Sequence, residues 1–331
     1  MSNTACWSAI RTPGQTAYGR LDFEGHALPL TVTAGGAPGP VVLMTGMQHG
    51  TEFCGPAALD QVLSCIDPAA MRGTLVGMPF VNPFHARLTY AEHSRLHADP
   101  ATNLNRQWRD RTDRDNPFTR LAACLWDHAV CHADFLVDMH CCRDNDPRIA
   151  ACLEGHAPSE ALAEAAGFEA VDRQTAESYD SRQLMLAVAA ELDRPAILVE
   201  SRPGGYQTPE AVEACAKALF RVLVHAGVLE SFTLNPLVDE QPAVFRRPDK
   251  AHALRATQAG YLAIRRFPGC RVKTGEPVAQ VRSMDTFEVV ESLEAPVDGG
   301  VGSVAEFDNW PFVEPGDCAG GVKPLAAPRL D

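Results

Sequence analysis

The chain has 331 residues, 46% of them hydrophobic, and a formal net charge of −13. That length can bury a large core and suggests one large domain followed by a smaller one. The acidic residues are spread along the chain, which disfavours nucleic acid as a partner, because phosphate contacts need a basic patch.

No apolar segment is long enough to cross a bilayer, so no membrane partner is expected. Met1 to Gly14 shows no basic stretch followed by an apolar run, so no signal peptide is read and a cytoplasmic location is expected. The 11 cysteines are odd in number and form no Cys-x-x-Cys pair. In a chain of this size they are expected to be mostly reduced, buried and inert.

Residues 16–35 alternate polar and apolar and end at Gly35-Gly36, as edge strands do. Val41 to Thr45 is a short apolar run that reads as a buried strand. Gly46-Met47-Gln48-His49-Gly50-Thr51-Glu52 follows, and Ala57 to Ile66 has helical spacing. Gly73 to Val81 predicts another strand, closed by Asn82-Pro83. Phe84 to Asp115 is long, polar and without periodicity, as functional loops often are.

The spacing then predicts a helix over Phe118 to Cys131 and a strand over Phe135 to Met139 that runs into His140-Cys141-Cys142. Ser159 to Ala166 and Arg182 to Leu192 read as helices. The strand Ala196 to Val199 ends at Glu200, and a helix spans about Pro209 to His225, with proline in its first turn. After Asn235-Pro236 helical patterns give way to short strands punctuated by glycine and proline, which places a domain boundary near residue 240. The expected domains are residues 1–240 and residues 241–331.

Alternating strands and helices favour an α/β fold with a mostly parallel mixed sheet covered by helices on both faces. Ligands bind such sheets beyond the carboxyl ends of the strands. Three apolar strands end at His49/Glu52, at His140 and at Glu200, so these side chains are expected at one sheet edge. Two imidazoles and a carboxylate form a recognised ligand set for catalytic zinc. Asp138 shares a face with His140 and either orients that ligand or is a solvated or hydrogen-bonded carboxylate. Glu200 is either a general base or a glutamate paired with Arg202. Arg95 and Arg106, on the long loop, could grip a carboxylate or steady an oxyanion, with Asn105 as a neutral donor. Cys141 and Cys142 either line the pocket or compete for soft metals.

Taken together, Gly46 to Glu52, Asn103-Leu104-Asn105-Arg106, Asp138-Met139-His140 and Val199-Glu200 resemble the succinylglutamate desuccinylase/aspartoacylase family, of the wider zinc-carboxypeptidase fold. The resemblance covers most of the first 230 residues. It implies one zinc ion per chain on His49, Glu52 and His140, and Glu200 as catalytic base. It implies Asn105 and Arg106 as the substrate-carboxylate clamp, with Arg95 as the oxyanion-stabilising arginine and Arg87 as the alternative. The tail resembles the small β domain of that family, similar to a barrel-sandwich hybrid, which would cover or shape the pocket. Ala295-Pro296-Val297-Asp298-Gly299 is similar to the hairpin of biotinyl and lipoyl carriers, but Phe287 to Glu294 holds no lysine, which disfavours a carrier role. The chain departs from the family in the Cys-Cys-Arg that follows His140 and in Ser-Arg-Pro-Gly after Glu200. Arg143 is either a second carboxylate binder or a surface residue.

The expected function is that of a zinc-dependent amidohydrolase removing an N-acyl group from a small amino acid by attack of activated water. The alternatives are a metallocarboxypeptidase acting on a short peptide and a non-catalytic binding module with a vestigial site. The expected partner is a small N-acyl amino acid, and a homo-oligomer is compatible with the sequence.

Overall fold

Three parallel strands carry the architecture: β3 (Ala37–Gly46), β5 (Phe135–Cys141) and β8 (Ala196–Ser201). Each is apolar enough to be buried on both sides, as a central parallel strand must be. The computed structural model describes residues 4–85, 98–142, 147–175, 177, 182–201, 207–239, 243–244, 250–304 and 311–325. These residues divide into two compact units, one drawn from Met1–Leu234 with Asp285–Phe287, the other from Asn235–Met284 with Glu288–Asp331.

In the first unit β1 (Gln15–Phe23) and β2 (His26–Ala34) form an antiparallel hairpin. Its turn is Glu24-Gly25, both at positive φ (46° and 85°), the backbone a two-residue hairpin requires. With β4 (Arg72–Met78), β6 (Ile149–Leu153) and β7 (Ala170–Gln174), the described residues build an eight-stranded sheet of order β1-β2-β4-β3-β5-β8-β6-β7. The β4-β3, β3-β5, β5-β8 and β6-β7 pairs are parallel, and the other three are antiparallel. The sheet is therefore mixed, with its parallel part at the centre.

Five helices accompany it among the described residues: α1 (Cys54–Cys65), α2 (Pro117–His128), α3 (Ala157–Ala166), α4 (Leu184–Leu192) and α5 (Pro209–His225). Helices α2 and α4 pack on the face that carries Leu43, Leu136 and Leu198. Helices α1 and α5 pack on each other, and α1 also meets β3 and β5. Strand alternation gives β5 two chemistries: Leu136, Asp138 and His140 share the first face, while Val137, Met139 and Cys141 point to the other.

The helix α5 matches its expected span, because Thr208 caps it by accepting from the Ala211 N–H and proline occupies the first turn. The strands β6 and β7 were not foreseen. Each has five residues, and β7 alternates half-buried and exposed positions at the sheet edge, so neither carries a long apolar run.

The second unit holds two antiparallel four-stranded sheets. One has the order β13 (Val289–Glu294), β12 (Pro277–Arg282), β10 (Gly260–Ile264), β15 (Phe312–Val313). The other runs β11 (Arg271–Val272), β14 (Gly299–Val304), β16 (Cys318–Pro324), β9 (His252–Arg255). Leu262, Val278, Val281 and Leu293 of the first sheet join Val272, Val301 and Val322 of the second in one apolar core, a sandwich in which each sheet buries the other's inner face.

Candidate metal centre

The turn after β3 places the first two candidate ligands. Met47 takes a left-handed backbone (φ 52°), which a non-glycine residue adopts only when its surroundings hold it. Its side chain is buried, which supplies that hold. Gly50 lies so close to the carbonyl oxygen of His85 that a Cβ would collide with it. The turn delivers His49 and Glu52 to the carboxyl end of β3, beside the end of β5.

There His49, Glu52 and His140 converge, all buried. His49 Nδ1 is 2.8 Å from Glu52 Oε1, His140 Nδ1 is 2.9 Å from Glu52 Oε2, and the two Nδ1 atoms are 3.2 Å apart. Ligands bonded to zinc at about 2.0–2.1 Å in a tetrahedron lie roughly 3.3 Å from one another. Two imidazole nitrogens facing each other over a carboxylate at that spacing fit a shared cation. Burial by itself would push the Glu52 carboxyl up, but the two imidazoles beside it override this and hold it below the ordinary carboxylate range. For His140 burial would lower the pKa, and the Asp138 and Glu52 carboxylates override it and raise it.

The far nitrogens have partners of the right kind. His140 Nε2 is 2.9 Å from Asp138 Oδ2, and His49 Nε2 is 3.1 Å from Asn103 Oδ1. Each ring that donates through Nε2–H keeps its Nδ1 lone pair for a metal, the usual arrangement around a ligating histidine. Asp138 is fully buried and also accepts from Thr45 Oγ1 (2.7 Å) and Gln48 Nε2 (2.5 Å). Asp138 is thus a hydrogen-bonded carboxylate and not a solvated one, with His140 Nε2 among its partners.

Asn105 sits in a 3₁₀ turn, Leu104–Arg106, whose preceding Asn103 accepts from the Asn105 N–H at 2.9 Å. The Asn105 Oδ1 accepts from the Leu184 N–H at 3.0 Å and from Gln48 Nε2 at 3.5 Å. Its side-chain oxygen is thus held by two donors of the protein. The half-buried Arg106 donates from Nη1 to the Asn105 carbonyl at 2.9 Å. Glu200 pairs in parallel register with His140, so both side chains project from the same face of neighbouring strands. Arg95, Arg87 and Arg143 lie outside the described residues.

The two cysteines after His140 have different surroundings. Cys141 pairs in register with Ser201, on the sheet face opposite His140, and its thiol interacts with that of Cys54. That interaction opposes, but burial and the nearby Glu52 charge outweigh it and raise the Cys141 pKa. The Cys142 Sγ donates to the Ser201 carbonyl at 3.3 Å. The sequence reading did not single out Asn103, Gln48, Thr45 or Trp108. Asn103 and Gln48 stand inside the motifs that drew attention, but their partners are 54 to 90 residues away, and no local periodicity shows such contacts.

The chain is similar to several known proteins. A protein from Halomonas elongata named N-alpha-acetyl-L-2,4-diaminobutyric acid deacetylase is 26% identical over 279 residues, spanning 82% of this chain and 77% of that protein. A succinylglutamate desuccinylase from Silicibacter sp. has a similar fold, with a TM-score of 0.54, 22% identity, and 94% and 95% of the two chains covered. So does the apo ectoine utilization protein EutE of Ruegeria pomeroyi, with a TM-score of 0.54, 22% identity, and 94% and 96% covered. The family profile described as the succinylglutamate desuccinylase/aspartoacylase catalytic domain matches residues 38–226, more than half of the chain, and the chain belongs to that family.

Proposed function

We propose that the protein is a zinc-dependent deacylase that hydrolyses the amide of a small N-acyl amino acid. The observation that carries this is the buried triangle of two Nδ1 atoms and the Glu52 carboxylate, with edges of 2.8 to 3.2 Å. Family membership and the deacetylase relative support the reaction class. Zinc held by His49, Glu52 and His140 would supply Lewis acidity and bring a water molecule toward neutral pKa.

The chain's own groups do the rest. The Asn105 amide and the Arg106 guanidinium bind the substrate carboxylate, a planar anion suited to a forked donor. Arg95 steadies the negative charge that develops on the amide oxygen. Glu200, on the face shared with His140, takes the proton of the attacking water and returns it to the departing amine.

The test is a deacylation screen on zinc-loaded protein, using acetyl- and succinyl-amino acids beside a dipeptide, with metal content measured in parallel. Turnover of an acyl-amino acid that chelation abolishes and zinc restores is expected. Preference for the dipeptide would point to a carboxypeptidase, and failure to retain zinc would point to a non-catalytic module.

A further inference from the structure

The polar contacts around Gln48 reach both halves of the site. Gln48 is fully buried and lies one residue before His49. Its Oε1 accepts from the Trp108 indole Nε1–H at 2.9 Å. An indole can only donate, so this contact settles which end of the Gln48 amide is oxygen. The Nε2 group is thereby turned toward two acceptors. One is Asp138 Oδ2 at 2.5 Å, the same oxygen that faces His140 Nε2. The other is Asn105 Oδ1 at 3.5 Å, an oxygen also held by the Leu184 N–H. The Gln48 main chain is fixed as well, since Asn82 Nδ2 donates to its carbonyl at 2.7 Å.

From these contacts we infer that Gln48, oriented by Trp108, is a positioning residue that couples the substrate clamp to the metal centre. The inference rests on the reading of His49, Glu52 and His140 as metal ligands. Toward the metal, the Gln48 amide keeps Asp138 as an acceptor aimed at His140 Nε2–H, which leaves His140 Nδ1 as a lone pair. Toward the substrate, it helps hold the Asn105 oxygen, which leaves the Nδ2 group as the end of that amide available to a substrate carboxylate. A single side chain thus sets the polarity of two hydrogen-bond chains, and Asn103, whose Oδ1 faces His49 Nε2 and accepts from the Asn105 N–H, joins the same two halves a second time.

The test compares wild type with Gln48→Met, Asn105→Ala and Asp138→Asn. Each is measured for zinc affinity by chelator competition, for the visible spectrum after cobalt substitution, and for KM and kcat with an N-acyl amino acid. Methionine keeps the length and volume of glutamine and removes both polar atoms. Gln48→Met is expected to weaken zinc about tenfold, in the range seen when a partner of a ligating histidine is lost. It should also raise KM by a similar factor. Asn105→Ala should move KM alone, and Asp138→Asn chiefly zinc affinity and the cobalt spectrum.

Gln48→Met with zinc affinity and KM both within twofold of wild type would overturn the coupling. A change in only one of them would overturn it too, since Gln48 would then serve one site alone. Should Gln48→Met fail to fold, Trp108→Phe decides, because it removes only the donor that orients the amide. Smaller losses in both quantities support the inference, and none in either overturns it. Wild type that binds no zinc would overturn the metal reading and this coupling with it. Wild type that binds zinc and turns over, beside an unaffected Gln48→Met, would overturn the coupling alone.

Discussion

Glu200 gains its candidate role from a neighbour, not from its own surroundings. Its strand runs parallel to that of His140 and in register with it, so a carboxylate and an imidazole stand side by side on one face. A base there needs only to exchange protons, so its amide equivalent would leave metal binding intact. Glu200→Gln should retain zinc and lower kcat by about 10²- to 10⁴-fold. Wild-type turnover in that variant, measured at matched zinc content, would remove Glu200 from the chemistry. Not every histidine with polar neighbours is of this kind. His156 Nδ1 is 2.7 Å from Ser159 Oγ, and its Nε2 is 3.2 Å from Asp193 Oδ1, which has the composition of a hydrolase triad. But Ser159 is fully buried, and its Oγ accepts from the Ala196 N–H at 2.9 Å. That serine satisfies the backbone at the start of β8. Ser159→Ala should cost about 1–3 kcal/mol, the penalty for an unsatisfied buried donor, with kcat unchanged. Thermal unfolding beside an activity assay checks both halves, and a lost kcat at full stability would reverse the assignment.

At the scale of elements, the turn between β3 and α1 is where local sequence and packing meet. Gly46 to Glu52 could be read as a strand-to-helix turn from the apolar run before it and the helical spacing after it. What could not be read is the left-handed Met47 or the pressure of the His85 carbonyl on Gly50. The second depends on a segment more than 30 residues further along the chain. Gly50→Ala should therefore shift the turn that aims His49. A cost of about 1–3 kcal/mol, typical of overpacking, is expected together with weaker zinc retention. Unfolding midpoints with and without added zinc measure the two effects, and a variant equal to wild type in both would show that the contact yields freely. The long polar stretch is a similar case. Its Asn-Leu-Asn-Arg motif was legible, while the 3₁₀ turn that holds it was not, because three residues are too few for a periodic signal.

For the molecule as a whole, the cysteines were expected to be mostly reduced, buried and inert; all 11 are free, but only Cys54, Cys152, Cys215 and Cys270 are buried, and the other seven are half-buried. Burial pushes the thiol of Cys6 up to about 12 and those of Cys124 and Cys152 up to about 11. A thiol whose folded pKa exceeds its unfolded value near 8.5 stabilises the fold below that value. The contribution is lost as pH rises through the folded pKa. The melting temperature, followed in a reducing buffer from neutral pH upward, should therefore decline above roughly pH 9. Alanine at Cys6 and Cys124 should flatten that decline, and an unchanged slope would exclude the thiols as its source.

By itself the sequence determined the class of the large sheet, the break in character near residue 240 and the residue types of the centre. Each of these is written in local order: apolar runs, helical spacing, and polar motifs at strand ends. The tertiary structure alone decided that His49 and His140 approach through Nδ1, because that depends on Asn103 and Asp138 holding the opposite nitrogens. It also decided that the Cys141 thiol meets that of Cys54, which α1 brings to that face of the sheet from far away along the chain. Side-chain direction and hydrogen-bond polarity are settled by partners far apart in the chain, and such partners meet only once the strands have paired in register.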